Sequence, residues 1–269
     1  MLTFHVSNDI EIKLNKSRPI PNVPWDVRFG PGSDIGLAQR RGVALLGGRW
    51  AVSSMRKMEH WERVYTTKKP TEVSWYRPHL ELSLRLIRSA NQDCGTKIID
   101  VGGGESTLVD DLLAVGYRDI TVLDLSEFAL RVAKERLGAA GARVRWLHGD
   151  VTSYPLEKQA FDVWHDRAVF HFLTEQADRV AYVRQVERAV KVGGHVIVAT
   201  FGPRGPLQCS GLDVMRYDAD ALHGEFGRAF RLVDHVTEEH KTPRGAAQQF
   251  VYCYCRLLEP VVASTGRPG

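Results

Sequence analysis

The sequence predicts an α/β fold: a doubly wound, mostly parallel sheet of seven strands, with helices on both faces and an antiparallel hairpin strand near the C-terminus. Between residues 97 and 200, apolar strand-like runs alternate with longer helix-like segments, a pattern typical of βαβ units. A turn of three glycines follows the first of these runs. Residues 230–233 and 248–254 alternate as the two arms of a hairpin do. Right-handed crossovers then place the loops after the parallel strands at one edge, where α/β sheets bind ligands.

The elements are predicted in chain order as follows. A helix starts at Met58, and a second amphipathic helix runs through Leu80 and Ile87. The alternating part then comprises strands at 97–101, 119–124, 143–148, 161–165 and 194–200, and helices at 106–115, 126–137 and 176–190. A turn at 192–194 leads into the last of these strands.

Three regions are predicted along the chain. Residues 1–57 hold proline and glycine turns and little periodicity, so we expect a poorly ordered or peripheral extension. Residues 58–260 form the domain that binds the ligand, and residues 261–269 form a tail. One hypothesis is that the native product starts near Met58.

Composition limits the partners and the compartment. The 269 residues are 43% hydrophobic and carry a net charge of +4, without an obvious basic face, so we expect no nucleic-acid partner. No apolar run approaches 18 residues and the N-terminus lacks a secretory core, so we expect no membrane partner and a cytoplasmic location. Four cysteines form no disulfide framework, which favours reduced thiols.

The glycine turn indicates a nucleoside ligand. Asp100 ends the first strand run, and Gly102, Gly103 and Gly104 let the backbone approach a ligand closely. Asp124, at the end of the next strand, can accept hydrogen bonds from both hydroxyls of a ribose.

The turn also discriminates between nucleosides. A dinucleotide fingerprint needs a glycine three residues after Gly104, where this chain has Thr107. The carboxylate of Asp100 repels a pyrophosphate and attracts a cation. S-adenosylmethionine, with an ammonium, a sulfonium and a ribose diol, fits these requirements.

Two further segments complete an ordered set of motifs: Gly149-Asp150-Val151 and Phe161-Asp162-Val163. With the glycine turn, Asp124 and the turn at 192–194, they make residues 58–257 resemble the class I S-adenosylmethionine-dependent methyltransferases. Ser106 is a departure, because many members carry glycine there. The resemblance implies methyl transfer with S-adenosylmethionine as cofactor. The predicted cofactor-binding residues are Asp100, Gly102, Gly103, Gly104, Asp124, Leu125, Asp150, Val151, His165, Tyr76 and Trp75.

The segment after the fourth strand supplies the catalytic candidates. His171 lies one turn beyond the strand end and could act as a general base near neutral pH. Asp166 could accept a hydrogen bond from the cofactor ammonium; the alternative is a salt bridge to Arg167. The resemblance places Trp75 and Tyr76 over the cofactor, where an aromatic face near a sulfonium gains about 0.5–2 kcal/mol.

Two other features have weaker implications. The turn-rich segment 201–211 has the length of a lid over the ligand edge, and Cys209 within it could contact a soft acceptor. The His-x2-Glu-Glu-His run at 235–240 lacks the order of a zinc site. We therefore expect it to be surface charge, and no metal is required.

The methyl acceptor remains open among three hypotheses. The short N-terminal cover and single lid favour a small-molecule nucleophile, which could be a thiol, oxygen or nitrogen. The first alternative is a protein-lysine methyltransferase; no Asn-Pro-Pro-Tyr motif for amide or nucleobase nitrogen follows the fourth strand. The second alternative is a non-catalytic protein that binds S-adenosylmethionine.

Overall fold

A computed structural model of the protein describes residues 54–259; residues 1–53 of the predicted extension, residue 260 and the whole predicted tail, 261–269, lie outside the described residues. The helices are α1 (54–67), α2 (Glu81–Ala90), α3 (Leu108–Ala114), α4 (Glu127–Leu137), α5 (Gln176–Ala189) and α6 (Ala219–Phe226). The strands are β1 (Lys97–Val101), β2 (Asp119–Asp124), β3 (Val144–His148), β4 (Phe161–Arg167), β5 (Val190–Phe201), β6 (Gln208–Cys209), β7 (Leu212–Asp213), β8 (Phe230–Lys241) and β9 (Ala247–Leu257).

Seven strands form one sheet in the order β3-β2-β1-β4-β5-β9-β8. Strands β1 to β5 pair in parallel, and β9 is antiparallel to both of its neighbours, β5 and β8. The predicted fold class is confirmed, including the antiparallel strand of the C-terminal hairpin.

Helices cover both faces of the sheet. On one face, α2, α3 and α4 pack apolar side chains such as Ile87, Leu108 and Leu112 against β1 and β2. On the other face, α5 and α6 bury Tyr182 and Phe226 against β4 and β5. Strand β1 is therefore buried on both sides, as expected for the centre of a parallel sheet.

The topology fixes the position of the ligand edge. Strand β1 pairs in register with β2 on one side and β4 on the other. The carboxyl ends of these three strands consequently meet at one edge. The glycine turn follows β1, Asp124 ends β2, and Arg167 ends β4.

The first predicted helix and the fifth predicted strand differ from the structure at their beginnings. Helix α1 is already present at residue 54, so the predicted boundary after residue 57 falls inside a helix. Strand β5 begins at Val190 rather than at 194, because the turn at 192–194 is an irregularity within the strand. Phe161 pairs with Val190 and Val163 pairs with His195, and Gly193 takes a φ of +78°. Residues 54–259 contain no helix with the length and apolar content needed to cross a bilayer.

Candidate functional site

The glycine turn after β1 is held tightly against its neighbours. The Gly102 amide donates to the Leu123 carbonyl at 2.7 Å, and Gly102 takes a φ of +67°. A Cβ atom at Gly102 would overlap Val169, and one at Gly103 would lie 2.6 Å from a Val122 methyl. The turn thus needs glycine both for its conformation and for its close packing.

Asp100, beneath this turn, is a buried carboxylate with a fixed orientation. Its Oδ1 lies 2.7 Å from Nδ1 of His165, whose Nε2 lies 2.9 Å from the Ser83 hydroxyl. All three side chains are buried. Both ring nitrogens of His165, which was predicted to contact the cofactor, are therefore hydrogen-bonded within the protein, and the imidazole orients Asp100.

Asp124 and Glu105 are two further acids of the site, and their burial disfavours the charged form of each carboxyl group. Asp124 accepts a hydrogen bond from the Ser126 amide at 2.8 Å, yet burial, with the nearby charge of Asp100, raises its pKa to about 7. Burial also raises the pKa of Glu105 to about 7. The Oε2 atom of Glu105 is buried and has no hydrogen-bond partner among residues 54–259. Each acid would gain from a ligand that donates hydrogen bonds.

Two cavities lie at this edge of the sheet. The larger, of about 340 Å³, is lined by five predicted residues besides Trp75: Gly102, Asp124, Leu125, Asp150 and Val151. The smaller, of about 40 Å³, is lined by Trp75, Tyr76, Asp100, Gly102, Gly103 and His165. The structure therefore brings these predicted cofactor residues to one site. Gly104 also lies here, under the Tyr65 hydroxyl and next to Asp124.

Tyr65 of α1 borders both cavities and was not predicted. A Cβ atom built on Gly104 would lie 2.8 Å from its hydroxyl oxygen and 3.1 Å from an Asp124 oxygen. Burial, followed by the charge of Asp124, raises the pKa of Tyr65 well above its usual value, so the phenol stays neutral. The apolar spacing of α1 indicated a helix but not that this helix covers the turn.

Four aromatic side chains, called here the aromatic cluster, close the larger cavity: Trp61, Tyr65, Trp75 and Phe172. The Trp61 ring centre lies 4.9 Å from that of Phe172, 5.8 Å from that of Trp75 and 6.0 Å from that of Tyr65. Trp75 was predicted to cover the cofactor; Trp61 and Phe172 were not singled out.

His171 does not reach either cavity. It is fully buried, its Nδ1 accepts from the Phe201 amide at 3.2 Å, and its Nε2 has no partner within the described part of the chain. Burial, with a smaller effect of the Arg167 charge, lowers its pKa to about 3. The geometry gives the predicted general base no access to an acceptor.

Asp166 also has a structural role. Its carboxylate accepts from the amides of Val169 and Phe170 at 2.9 and 3.1 Å and from the Tyr182 hydroxyl at 2.7 Å. It is fully buried and lines neither cavity. These three bonds fix the turn after β4, so the geometry supports neither a contact with the cofactor ammonium nor the alternative salt bridge to Arg167.

Arg167 instead pairs with Glu238 of β8, with 3.5 Å between Nη2 and Oε2. Its Nε donates to the Tyr252 hydroxyl at 3.0 Å, and Arg77 forms a second ion pair with Glu238. Glu238 is largely buried, so the expectation of surface charge at 235–240 is wrong for this residue. His240 is buried as well and lies 2.7 Å from the Ser74 carbonyl.

The segment after β5 contributes to the rim. Strands β6 and β7 form a small hairpin within and beyond the predicted lid, and Cys209, Leu212 and Asp213 line the larger cavity. Burial raises the pKa of Cys209, so its thiol stays protonated. Within residues 54–259, no three His, Cys, Asp or Glu side chains are grouped as metal ligands.

The first turn of α1 also contacts the site. The Ser54 hydroxyl donates to Asp150 at 2.9 Å, and Lys57 forms an ion pair with Asp178 at 2.6 Å. Both residues fall in the predicted peripheral extension, and Lys57 lines the larger cavity.

Comparisons with known proteins identify a methyltransferase domain in the chain. Residues 98–194 match the profile of the methyltransferase domain family. The mouse "eEF1A lysine and N-terminal methyltransferase" is 29% identical over 139 residues, which are 52% of this chain and 20% of that protein. The chain thus spans about a fifth of the length of such relatives. Human "EEF1A lysine methyltransferase 2" is 20% identical over 206 residues, covering 71% of this chain and 80% of the relative.

Solved structures share the fold. One, described as "Conversion of a Disulfide Bond into a Thioacetal Group during Echinomycin Biosynthesis", superposes with a TM-score of 0.61 at 19% identity, over 75% of this chain and 93% of the other. A protein from Methanosarcina mazei described as an S-adenosylmethionine-dependent methyltransferase has a TM-score of 0.55 at 15% identity, over 64% of this chain and 97% of the other.

Proposed function

We propose, from the premise that this chain belongs to the class I S-adenosylmethionine-dependent methyltransferases, that it methylates an amine nitrogen, with a lysine side chain of a protein as the first candidate acceptor. The premise rests on the methyltransferase domain at 98–194 and on the seven-stranded fold. The domain is a methyltransferase domain that uses S-adenosylmethionine. The acceptor is our proposal, and it draws on the relatives described as lysine methyltransferases.

The observation that carries the cofactor assignment is the joint position of Asp100, the glycine turn and Asp124 around adjoining cavities. Asp124, a buried carboxylate in the lining of the larger cavity, suits the hydroxyls of a ribose. Asp100 and the Glu105 oxygen, which has no hydrogen-bond partner in the described part of the chain, suit a cationic ammonium. The tight turn admits a ligand against the backbone. These residues fit S-adenosylmethionine, which when bound supplies a methyl carbon activated by positively charged sulfur.

The protein's own contribution is positioning and exclusion of water. Helix α1 places Tyr65 over the turn, and the aromatic cluster covers the larger cavity. Since transfer is an in-line displacement, alignment in a dry site supplies most of the acceleration. No histidine lies among the described residues that line the larger cavity. We infer that the acceptor amine loses its proton to water or to a cavity carboxylate before it reacts.

Incubation with S-adenosylmethionine carrying a labelled methyl group tests the proposal. Candidate acceptors are a lysine-containing elongation factor, free amines, thiols and phenols, with S-adenosylhomocysteine formation as the common readout. We expect label in Nε-methyllysine after acid hydrolysis of the protein acceptor. Turnover on thiols or phenols alone would refute the amine acceptor. Binding of S-adenosylhomocysteine without turnover on any acceptor would favour the non-catalytic alternative.

A small-molecule nucleophile is the second candidate. The cover formed by α1 and the β6–β7 hairpin favours it, because both approach the larger cavity and narrow its access. In the same assay it predicts turnover on a free amine or thiol that exceeds turnover on any protein acceptor.

A further inference from the structure

We propose that Trp61, Trp75 and Phe172, together with Asp213, form a receptor for an alkylammonium group of the methyl acceptor. The proposal deepens the function proposed above and rests on it, because it names the chemical class of the acceptor and the residues that select it. The three rings belong to the aromatic cluster, and all are half-buried around the larger cavity.

The sheet topology separates this receptor from the nucleoside half of the cavity. In the order β3-β2-β1-β4-β5, Asp124 ends β2 and Asp150 follows β3, on one side of β1. Phe172 and the β6–β7 hairpin follow β4 and β5 on the other side. The Trp75 carbonyl accepts a hydrogen bond from Arg167, at the end of β4, at 3.3 Å. The aromatic rings therefore lie over the half of the edge that the nucleoside acids leave open.

The ring geometry suits a cation. Trp61 meets Phe172 at an interplanar angle of 78° and Trp75 at 75°. Rings at right angles form adjacent walls rather than a stack, so more than one ring face can be turned to a single small group. Because each face carries negative quadrupolar potential, such walls attract an ammonium and leave an isosteric neutral group with only apolar contact.

The charged residues that line the larger cavity also favour a cation. Its lining includes three acids, Asp124, Asp150 and Asp213, and two bases. Both bases are already paired outside the cavity: Lys57 with Asp178 at 2.6 Å and Arg167 with Glu238 at 3.5 Å. Asp213 is exposed on the rim, where its Oδ1 accepts a hydrogen bond from the Gln208 side-chain amide at 2.8 Å and its other carboxylate oxygen stays available to a ligand. Asp150 and Asp213 therefore place carboxylates in the lining of the cavity that complement a cationic acceptor.

Cation–π attraction also fits the course of the reaction, because it does not require N–H groups. The neutral amine forms the bond to the methyl carbon with its lone pair, the carbon–sulfur bond breaks with its electron pair left on sulfur, and the nitrogen carries the positive charge. A receptor built from rings retains a methylated ammonium as well as an unmethylated one. The site is thus suited to repeated methylation of one nitrogen.

Calorimetry with two probes tests the receptor. Nε-trimethyllysine carries the charge, and its uncharged isostere has a carbon in place of the charged nitrogen. Each is titrated into the full chain saturated with S-adenosylhomocysteine. We expect the cation to bind about fivefold or more tightly than the isostere. Trp61→Leu and Phe172→Leu should each lower the ratio of the two affinities. Trp61→Phe should lower it less than Trp61→Leu does. Asp213→Asn should weaken binding of the cation and leave binding of the isostere unchanged. Trp146→Leu, a half-buried tryptophan outside both cavities, is the matched control.

The ratio of the two affinities distinguishes recognition of charge from an effect on folding, because a loss of structure weakens the binding of both probes. Equal affinities of the wild-type chain for the two probes, or no binding of the cation at millimolar concentration, would overturn the proposal. So would a ratio that neither Trp61→Leu nor Phe172→Leu changes. Failure to bind S-adenosylhomocysteine in the first step would instead refute the proposed function itself.

Discussion

His165 and Asp100 occupy paired positions on adjacent parallel strands, and their side chains meet at 2.7 Å inside the sheet edge. The register of β1 and β4 thus places His165 next to Asp100, below the glycine turn. Ser83 of α2 holds the far side of the imidazole. The orientation of Asp100 toward the smaller cavity is therefore set by the core before any ligand arrives.

Replacing His165 with Phe should leave Asp100 buried without its partner. We expect the free energy of unfolding to fall by about 2–4 kcal/mol, because a buried carboxylate loses a hydrogen bond to an ionisable group. Ser83→Ala should cost less, about 1–2 kcal/mol. Urea denaturation measures both. A His165→Phe variant as stable as the wild type would show that Asp100 does not depend on this contact.

Asp124→Asn should weaken binding of S-adenosylhomocysteine by roughly 1.5–3 kcal/mol, because a hydroxyl loses a charged acceptor. Asp119→Asn, at the opposite end of the same strand, is the control and should leave the affinity unchanged. Titration calorimetry on folded variants checks the pair. Unchanged affinity in Asp124→Asn would remove this residue from the cofactor site.

Gly102→Ala should disrupt the turn, because the new methyl group overlaps Val169 and φ is +67°. We expect a loss of about 1–3 kcal/mol of stability and weaker cofactor binding. Gly224 of α6 has no atom within 4 Å of its virtual Cβ. Gly224→Ala should therefore stabilise the chain by up to about 1 kcal/mol. Equal melting temperatures for the two variants would contradict this account of the turn.

His171 should make the protein sensitive to acid. Its pKa is lowered to about 3 in the folded state, so as pH falls below about 6.5 the unfolded chain takes up a proton that the folded chain does not. Stability is lost through that window, by about 2–3 kcal/mol at pH 4.5.

His171→Gln keeps an acceptor for the Phe201 amide and should remove this loss. Asp124, Asp166 and Glu105, with raised pKa values, act in the opposite direction, gaining stability as pH falls. They are common to both proteins, so the difference between wild type and variant isolates His171. Parallel curves of unfolding free energy against pH would refute the prediction.

A chain that begins at Ser54 should be more stable than one that begins at Met58. The shorter chain loses the first turn of α1 with its contacts to Asp150 and Asp178. Each kcal/mol lost should lower the melting temperature by about 2–4 °C. Scanning calorimetry of the two chains decides the matter. Identical melting temperatures would favour the predicted boundary after residue 57.

The sequence was sufficient for the sheet because its strands are continuous apolar runs separated by helices. It was also sufficient to predict that Asp100, the glycine turn and Asp124 lie together at one edge, because the ends of neighbouring parallel strands meet there; their role in cofactor binding stays a prediction. Glu238 shows the limit: two arginines distant in sequence bury it, and its own segment looks like exposed charge. His171 shows a second limit: its position after β4 in the sequence does not reveal whether its side chain faces the ligand edge or the core.

The position of β9 has a consequence for how the protein is made. The strand lies between β5 and β8, so β5 leaves the ribosome long before the residues that cover its free edge. Until then, a buried apolar strand presents an open row of amides and carbonyls, which is a template for pairing with other chains. The strands whose ends form the ligand edge are therefore synthesised before the strand that protects β5 from such pairing.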